Sequence, residues 1–172
     1  MRTWIDVAFL AKTRNSKGRF VVRSTAGLPF LLEEGDEVVF VPPQTDAPRV
    51  AKVVDVRDID DDSADVAFEG VESLDLAQQL VGCHCLIRRE LVDESVFKEA
   101  PVTWEGWTVV DDELGEVGCV EGVIDKPLQP LLELRLADGT QALVPVVDEI
   151  VYEVDVAQLL VRTRLPKGLL DL

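Results

Sequence analysis

Residues 131–145 read LLELRLADGTQALVP. Asp138-Gly139 stands between two β-rich runs, and such a pair is a strong hairpin signal. Leu131–Leu136 and Gln141–Pro145 are therefore expected as paired strands. Further short β signals lie on both sides: Thr108–Val110 and Gly118–Ile124 before, Asp148–Val154 and Leu159–Arg164 after, with Asp155 at the bend between the last two. Short strands at regular spacing predict a small barrel in this half of the chain.

The first half reads the same way. Trp4–Leu10 and Arg19–Ser24 flank the turn Arg14-Asn15-Ser16-Lys17-Gly18. Glu34-Gly35-Asp36 turns into the strand Glu37–Val41, which Pro42-Pro43 ends because proline cannot donate to a ladder. Arg49–Arg57 is a strand, Asp58–Asp65 a polar loop, and Val66–Phe68 its returning partner. One helix is expected: Ser73 caps it, Asp75 sits in its first turn, Leu76, Ala77 and Leu80 line one face, and Gly82 stops it. It would plug the open end of a barrel, burying apolar surface at ~25 cal/mol per Å². Cys83–Arg88 follows as a strand. Residues 93–103 lack periodicity and are read as a connector. The expected fold is mainly β: two small β-barrels joined by a short linker, with one short helix in the N-terminal domain. The boundaries are 1–93 for the first barrel, 94–103 for the linker and 104–172 for the second barrel.

The chain has 172 residues, 47% of them hydrophobic, which suits globular domains. Its longest apolar runs, such as Val38–Val41, are far short of the ~20 residues needed to cross a bilayer. Asp6, Lys12, Arg14 and Lys17 leave no apolar signal core near the N-terminus, so a cytoplasmic location and no membrane partner are expected. Lys and Arg number 17 against 33 Asp and Glu, a net charge of −16. The charge is uneven: residues 1–24 carry six basic side chains against Asp6 alone, whereas 25–95 carry −12 and 96–172 carry −9. Most of the molecule would repel RNA, and only the Lys12–Arg23 segment would meet phosphate favourably. A solvated basic hairpin is the plain alternative.

The single His leaves little for a Ser-His-Asp triad or a multi-His zinc site, and there is no Gly-rich phosphate loop. No catalytic residue is assigned, and no cofactor or metal is expected. Asp58, Asp60, Asp62 and Glu69 have the acidic spacing of a calcium loop, but Ser63 stands where Gly is required, and both flanks read as strands. Cys83-His84-Cys85 places two thiols on one strand face and the imidazole on the other, which suits buried apolar thiols better than a tetrahedral ion. Three Cys with this spacing are read as reduced thiols. Trp104 and Trp107 are three apart, so on a strand one would face the core and the other is a candidate partner anchor, with core packing of each as the equal alternative.

A family resemblance then enters. Phe68-Glu69-Gly70-Val71-Glu72-Ser73, followed by Ala77, Leu80, Gly82, Leu86 and Arg89, resembles the end of the N-terminal domain in the RimM ribosome maturation factors. Gly115, Gly118, Val120, Leu143-Val144-Pro145, Val154-Asp155 and Pro166-Lys167-Gly168-Leu169-Leu170 are similar to that family's C-terminal PRC-type barrel. The resemblance covers nearly the whole chain. It implies a first barrel like a translation-factor barrel, followed by a PRC barrel. It further implies a non-enzymatic factor for assembly of the small (30S) subunit head, engaging the nineteenth small-subunit ribosomal protein and nearby 16S rRNA in the pre-30S particle and supporting rRNA maturation.

The N-terminal signature departs from the family pattern, which has Gly near position 8 and then His-Gly-Leu-Lys-Gly-Glu. This chain has Ala8, then Arg14-Asn15-Ser16-Lys17-Gly18-Arg19, where only Lys17 and Gly18 match. The changes add positive charge at a loop expected near rRNA. The family's paired tyrosines before the second barrel are absent, and Trp104 is the candidate replacement. Expected RNA-contacting residues are therefore Lys12, Arg14, Lys17, Arg19 and Arg23. Expected ribosomal-protein-binding residues are Phe97, Trp104 and Trp107. An acidic body suits a basic ribosomal protein, and a monomer is expected. The alternative is a PRC-barrel adaptor that binds a non-ribosomal partner.

Overall fold

The computed structural model describes residues 3–171, which divide into two compact units between Val92 and Asp93. The first is a closed six-stranded barrel in the order β1-β2-β5-β4-β3-β6. Its strands are β1 (Trp4–Thr13), β2 (Phe20–Ser24), β3 (Glu37–Val41), β4 (Val50–Asp58), β5 (Ser63–Phe68) and β6 (His84–Arg88). Every pairing is antiparallel. β1 pairs with β6 through its first half and with β2 through its second. The register slips between Asp6 and Ala8 against β6, and between Leu10 and Lys12 against β2. Each bulge bends the strand, which is how a short sheet curls far enough to close.

Alternation fills the barrel from Val7, Leu10, Phe20, Val22, Val38, Phe40, Val66 and Phe68, all buried. Phe68 is the hub: its ring meets Phe40 edge-on at 5.1 Å and Phe20 at 5.9 Å, the geometry that aromatic quadrupoles favour. The predicted helix is α1 (Leu74–Leu80). The Ser73 hydroxyl accepts from the Leu76 amide at 3.3 Å, and Ala77 and Leu80 are fully buried. Its exit is fastened to β1, with the Gly82 amide donating to the Leu10 carbonyl at 2.7 Å and the Leu10 amide to the Cys83 carbonyl at 2.9 Å. Cys83 and Cys85 are buried, whereas His84 points outward with Nδ1 2.8 Å from Asp6 Oδ2. Burial raises both thiols above their ordinary range.

The second unit holds a six-stranded sheet in the order β10-β9-β8-β7-β12-β11. Its strands are β7 (Thr108–Asp111), β8 (Gly115–Ile124), β9 (Leu131–Leu136), β10 (Gln141–Pro145), β11 (Val151–Asp155) and β12 (Leu160–Thr163). The hairpin at Asp138-Gly139 pairs β9 with β10 as predicted. β12 runs parallel to β7, the one parallel pairing among the described residues. Val109, Val120, Leu132, Leu134, Val144 and Val161 form the core. Gly118 permits a close crossing of β8 and β9, since a Cβ there would stand 2.1 Å from the Arg135 carbonyl oxygen.

The expected linker is where sequence and structure part. Residues 94–103 are not an extended connector. They form α2 (Glu94–Glu99) and most of a 3₁₀ turn, Pro101–Trp104, and they group with the second unit. Asp93 Oδ1 caps α2 by accepting from the Ser95 amide at 2.9 Å, and Phe97, Ala100, Thr103 and Trp104 turn inward. The N-terminal unit has the one α-helix expected of it, and α2 is a further α-helix in the second unit.

Candidate nucleic-acid interface

The basic segment folds as the end of β1, a tight loop and the start of β2. The Arg14 amide donates to the Arg19 carbonyl at 2.8 Å, closing the loop, and the Lys17 amide donates to Asn15 Oδ1 at 2.9 Å. Gly18 has φ +87°, and a Cβ there would stand 2.4 Å from the Val71 carbonyl oxygen. Only glycine lets the loop rest on the turn that follows β5.

Cross-strand register sets what the loop faces. Lys12, Val21, Asp65 and Arg57 fall on one transverse row across β1, β2, β5 and β4. Arg19 enters beside this row. Its Nε lies 2.6 Å from Asp65 Oδ1, and its Nη1 lies 2.9 Å from Asp55 Oδ2. Arg14 Nε lies 3.4 Å from Asp65 Oδ2, and Arg57 Nε lies 3.0 Å from Asp55 Oδ2. Three guanidiniums therefore share two carboxylates. Val21 lies outward by alternation, yet it is only 5% exposed amid these long side chains.

The structure separates the five expected RNA-contacting residues. Lys12, Arg14 and Lys17 are exposed around one end of the barrel wall. The Arg19 side chain is only 13% exposed and is held by Asp65 and Asp55, so it braces the patch from beneath. Arg23 is exposed but stands beside the acidic hairpin 58–62. There the Ser63 hydroxyl and Asp62 amide, with a smaller contribution from the Arg23 charge, hold the Asp60 carboxyl below its ordinary value. Sequence reading missed Arg57, Asp55 and Asp65. Hairpin arithmetic about 58–64 places Arg57 opposite Asp65, but the adjacency of β5 to β2 is non-local and has no local signal.

Phe97, Trp104 and Trp107 are all at most 3% exposed, so none offers its ring to a partner here. The reason is local. Trp104 sits in a 3₁₀ turn, where strand alternation does not apply, and its indole N–H donates to the Phe97 carbonyl at 2.6 Å. Trp107 precedes β7, and its carbonyl accepts from the Val120 amide. Both are core residues. Among the described residues no group of three or more His, Cys, Asp or Glu side chains is arranged to hold a metal, and no helix is long and apolar enough to cross a membrane.

Residues 102–169 match the model of the RimM PRC barrel domain. Over 170 residues the sequence is 31% identical to the ribosome maturation factor RimM of Porphyromonas gingivalis, covering 96% of this chain and 95% of that protein. The chain belongs to the RimM family. The RimM of Nitratidesulfovibrio vulgaris (strain DP4) is 30% identical over 171 residues, covering 98% of this chain and 95% of that protein. A crystal structure described as a putative 16S ribosomal RNA processing protein RimM from Pseudomonas aeruginosa is 16% identical. It covers 95% of this chain and 98% of that one, with a TM-score of 0.43.

Proposed function

We propose that this protein is a non-enzymatic assembly factor for the 30S subunit head. In this reading it assists 16S rRNA processing by binding the nineteenth small-subunit ribosomal protein and nearby rRNA in the pre-30S particle. RimM membership supplies the context, and the observation that carries the RNA contact is the cationic patch. Lys12, Arg14 and Lys17 project from a molecule whose net charge is −16. A basic face on an acidic body favours orientations that bring that face to phosphate. The acidic remainder attracts a basic ribosomal protein and speeds encounter with it. The buried Phe97, Trp104 and Trp107 shape that surface from within and do not touch the partner. The first barrel is the RimM-like N-terminal domain, and the factor works as a cytoplasmic monomer.

The test is a sucrose gradient of host lysate, at low and moderate salt, blotted for the wild type and for a Lys12→Glu/Lys17→Glu variant. These two positions are exposed, so the reversal spares the buried ion pairs that an Arg19 substitution would break. Expected is co-migration of the wild type with free small subunits, absence from complete ribosomes, and loss of the variant from the small-subunit fractions. A wild type found only at the top at both salts would sink this reading and leave the adaptor.

A further inference from the structure

We propose that Arg57 and Arg14 form a two-guanidinium clamp for RNA backbone phosphates, positioned by Asp55, Asp65 and Arg19. This deepens the RNA-contact reading above and rests on it. The Arg57 side chain is 71% exposed and that of Arg14 is 50% exposed. In both, the ion pair engages Nε, which is the root of the fork. Each guanidinium therefore lies beside a carboxylate through its Nε. Planar forks of this kind match a phosphate's oxygens in a way a lysine ammonium cannot.

The carboxylates beneath would repel phosphate if they stood alone. Arg19 removes that objection. It reaches both Asp65 and Asp55, and its Nη2 also donates to the Asp65 carbonyl at 3.3 Å. Three positive charges against two negative leave the cluster with a surplus of one, and Lys12, in the same transverse row as Asp65 and Arg57, adds another. The cluster is therefore neutralised inside and carries its surplus on Arg57, Arg14 and Lys12, with the aspartates of the 58–62 hairpin beginning one residue after Arg57. The contact proposed is with backbone phosphate, which carries no base-sequence information. Arg57 and Arg14 would touch phosphate. Arg19, Asp55 and Asp65 are positioning residues.

The experiment is fluorescence anisotropy of the full chain with a labelled short RNA hairpin, in two unrelated sequences, from about 20 to about 200 mM salt. The variants are Arg57→Gln, Arg57→Lys and the loop triple Lys12→Gln/Arg14→Gln/Lys17→Gln. Expected for Arg57→Gln is a loss of about 3- to 10-fold for both hairpins, with the salt slope reduced by about one phosphate contact and the thermal midpoint unchanged. Arg57→Lys should keep the slope and lose part of the affinity. If the triple weakens binding and Arg57→Gln does not, the clamp is refuted and the RNA-contact reading stands. If the wild type fails to bind at about 20 mM salt, or neither Arg57→Gln nor the loop triple differs from it, both are refuted.

Discussion

Asp111 is a carboxylate buried at the end of β7, and its surroundings explain why it can be there. Its oxygens accept from the amides of Glu113 and Leu114, both at 3.0 Å, from the Leu165 amide at 2.7 Å, and from the Thr163 hydroxyl at 3.3 Å. Burial pushes its carboxyl up, but these donors outweigh burial and hold it below the ordinary 3.8. The native state therefore binds fewer protons than the unfolded state. The stability Asp111 contributes is present above the unfolded pKa and is lost as pH falls through the depressed native one. Asp111→Asn should cost about 2 kcal/mol at neutral pH, because an amide nitrogen would face a backbone donor. It should also flatten the fall of the urea midpoint below about pH 5, measured by circular dichroism. Gly18→Ala is a second expectation: φ +87° and the 2.4 Å approach to Val71 make it cost roughly 2 kcal/mol or more by thermal unfolding. The loop must shift to relieve the clash, so hairpin affinity should fall with it. Sequence alone showed Gly18 as a turn residue and the basic side chains around it as a patch. It did not show that Val71 lies against the turn, nor that Arg19 is spoken for, because both depend on strands far away in the chain.

At the scale of elements, α1 was readable because its signals are local: a serine cap, an acidic first turn and an apolar face. Ser73→Ala should cost about 1 kcal/mol in urea titrations. α2 was not read, although Asp93 is a capping residue and Phe97, Ala100 and Trp104 recur at helical spacing. Pro101 obscured the pattern. It ends α2 and begins the 3₁₀ turn, so each piece is too short for periodicity to stand out. The indole bond to the Phe97 carbonyl staples the two pieces together. Trp104→Phe should therefore lower stability by about 1–2 kcal/mol, while leaving affinity for a basic ribosomal protein unchanged wherever the variant is folded. A selective loss of affinity without loss of stability would restore Trp104 as a contact.

For the whole molecule, the β content and the two-unit plan were visible in the sequence because short apolar runs and turn residues are local. The order of strands was not, since β2 beside β5 and β12 beside β7 join distant segments. Charge was visible, and it carries a prediction. With 33 acidic side chains against 17 basic ones, self-repulsion destabilises the compact state. Raising salt from about 20 to about 200 mM should raise the thermal midpoint while weakening RNA contact, opposite responses to the same screening. The parallel pairing of β7 with β12 has a consequence in time. Asp111 and Thr163, which that pairing brings together, are 52 residues apart. During synthesis β7 can pair with β8 as soon as that strand emerges, but its other edge waits for β12. The first barrel needs nothing beyond β6 to close. The chain is thus built to mature vectorially: its N-terminal barrel can be finished while translation of the second unit continues. Pulse-labelled nascent chains of increasing length should acquire protease resistance in two steps, the first soon after β6 emerges and the second only after β12.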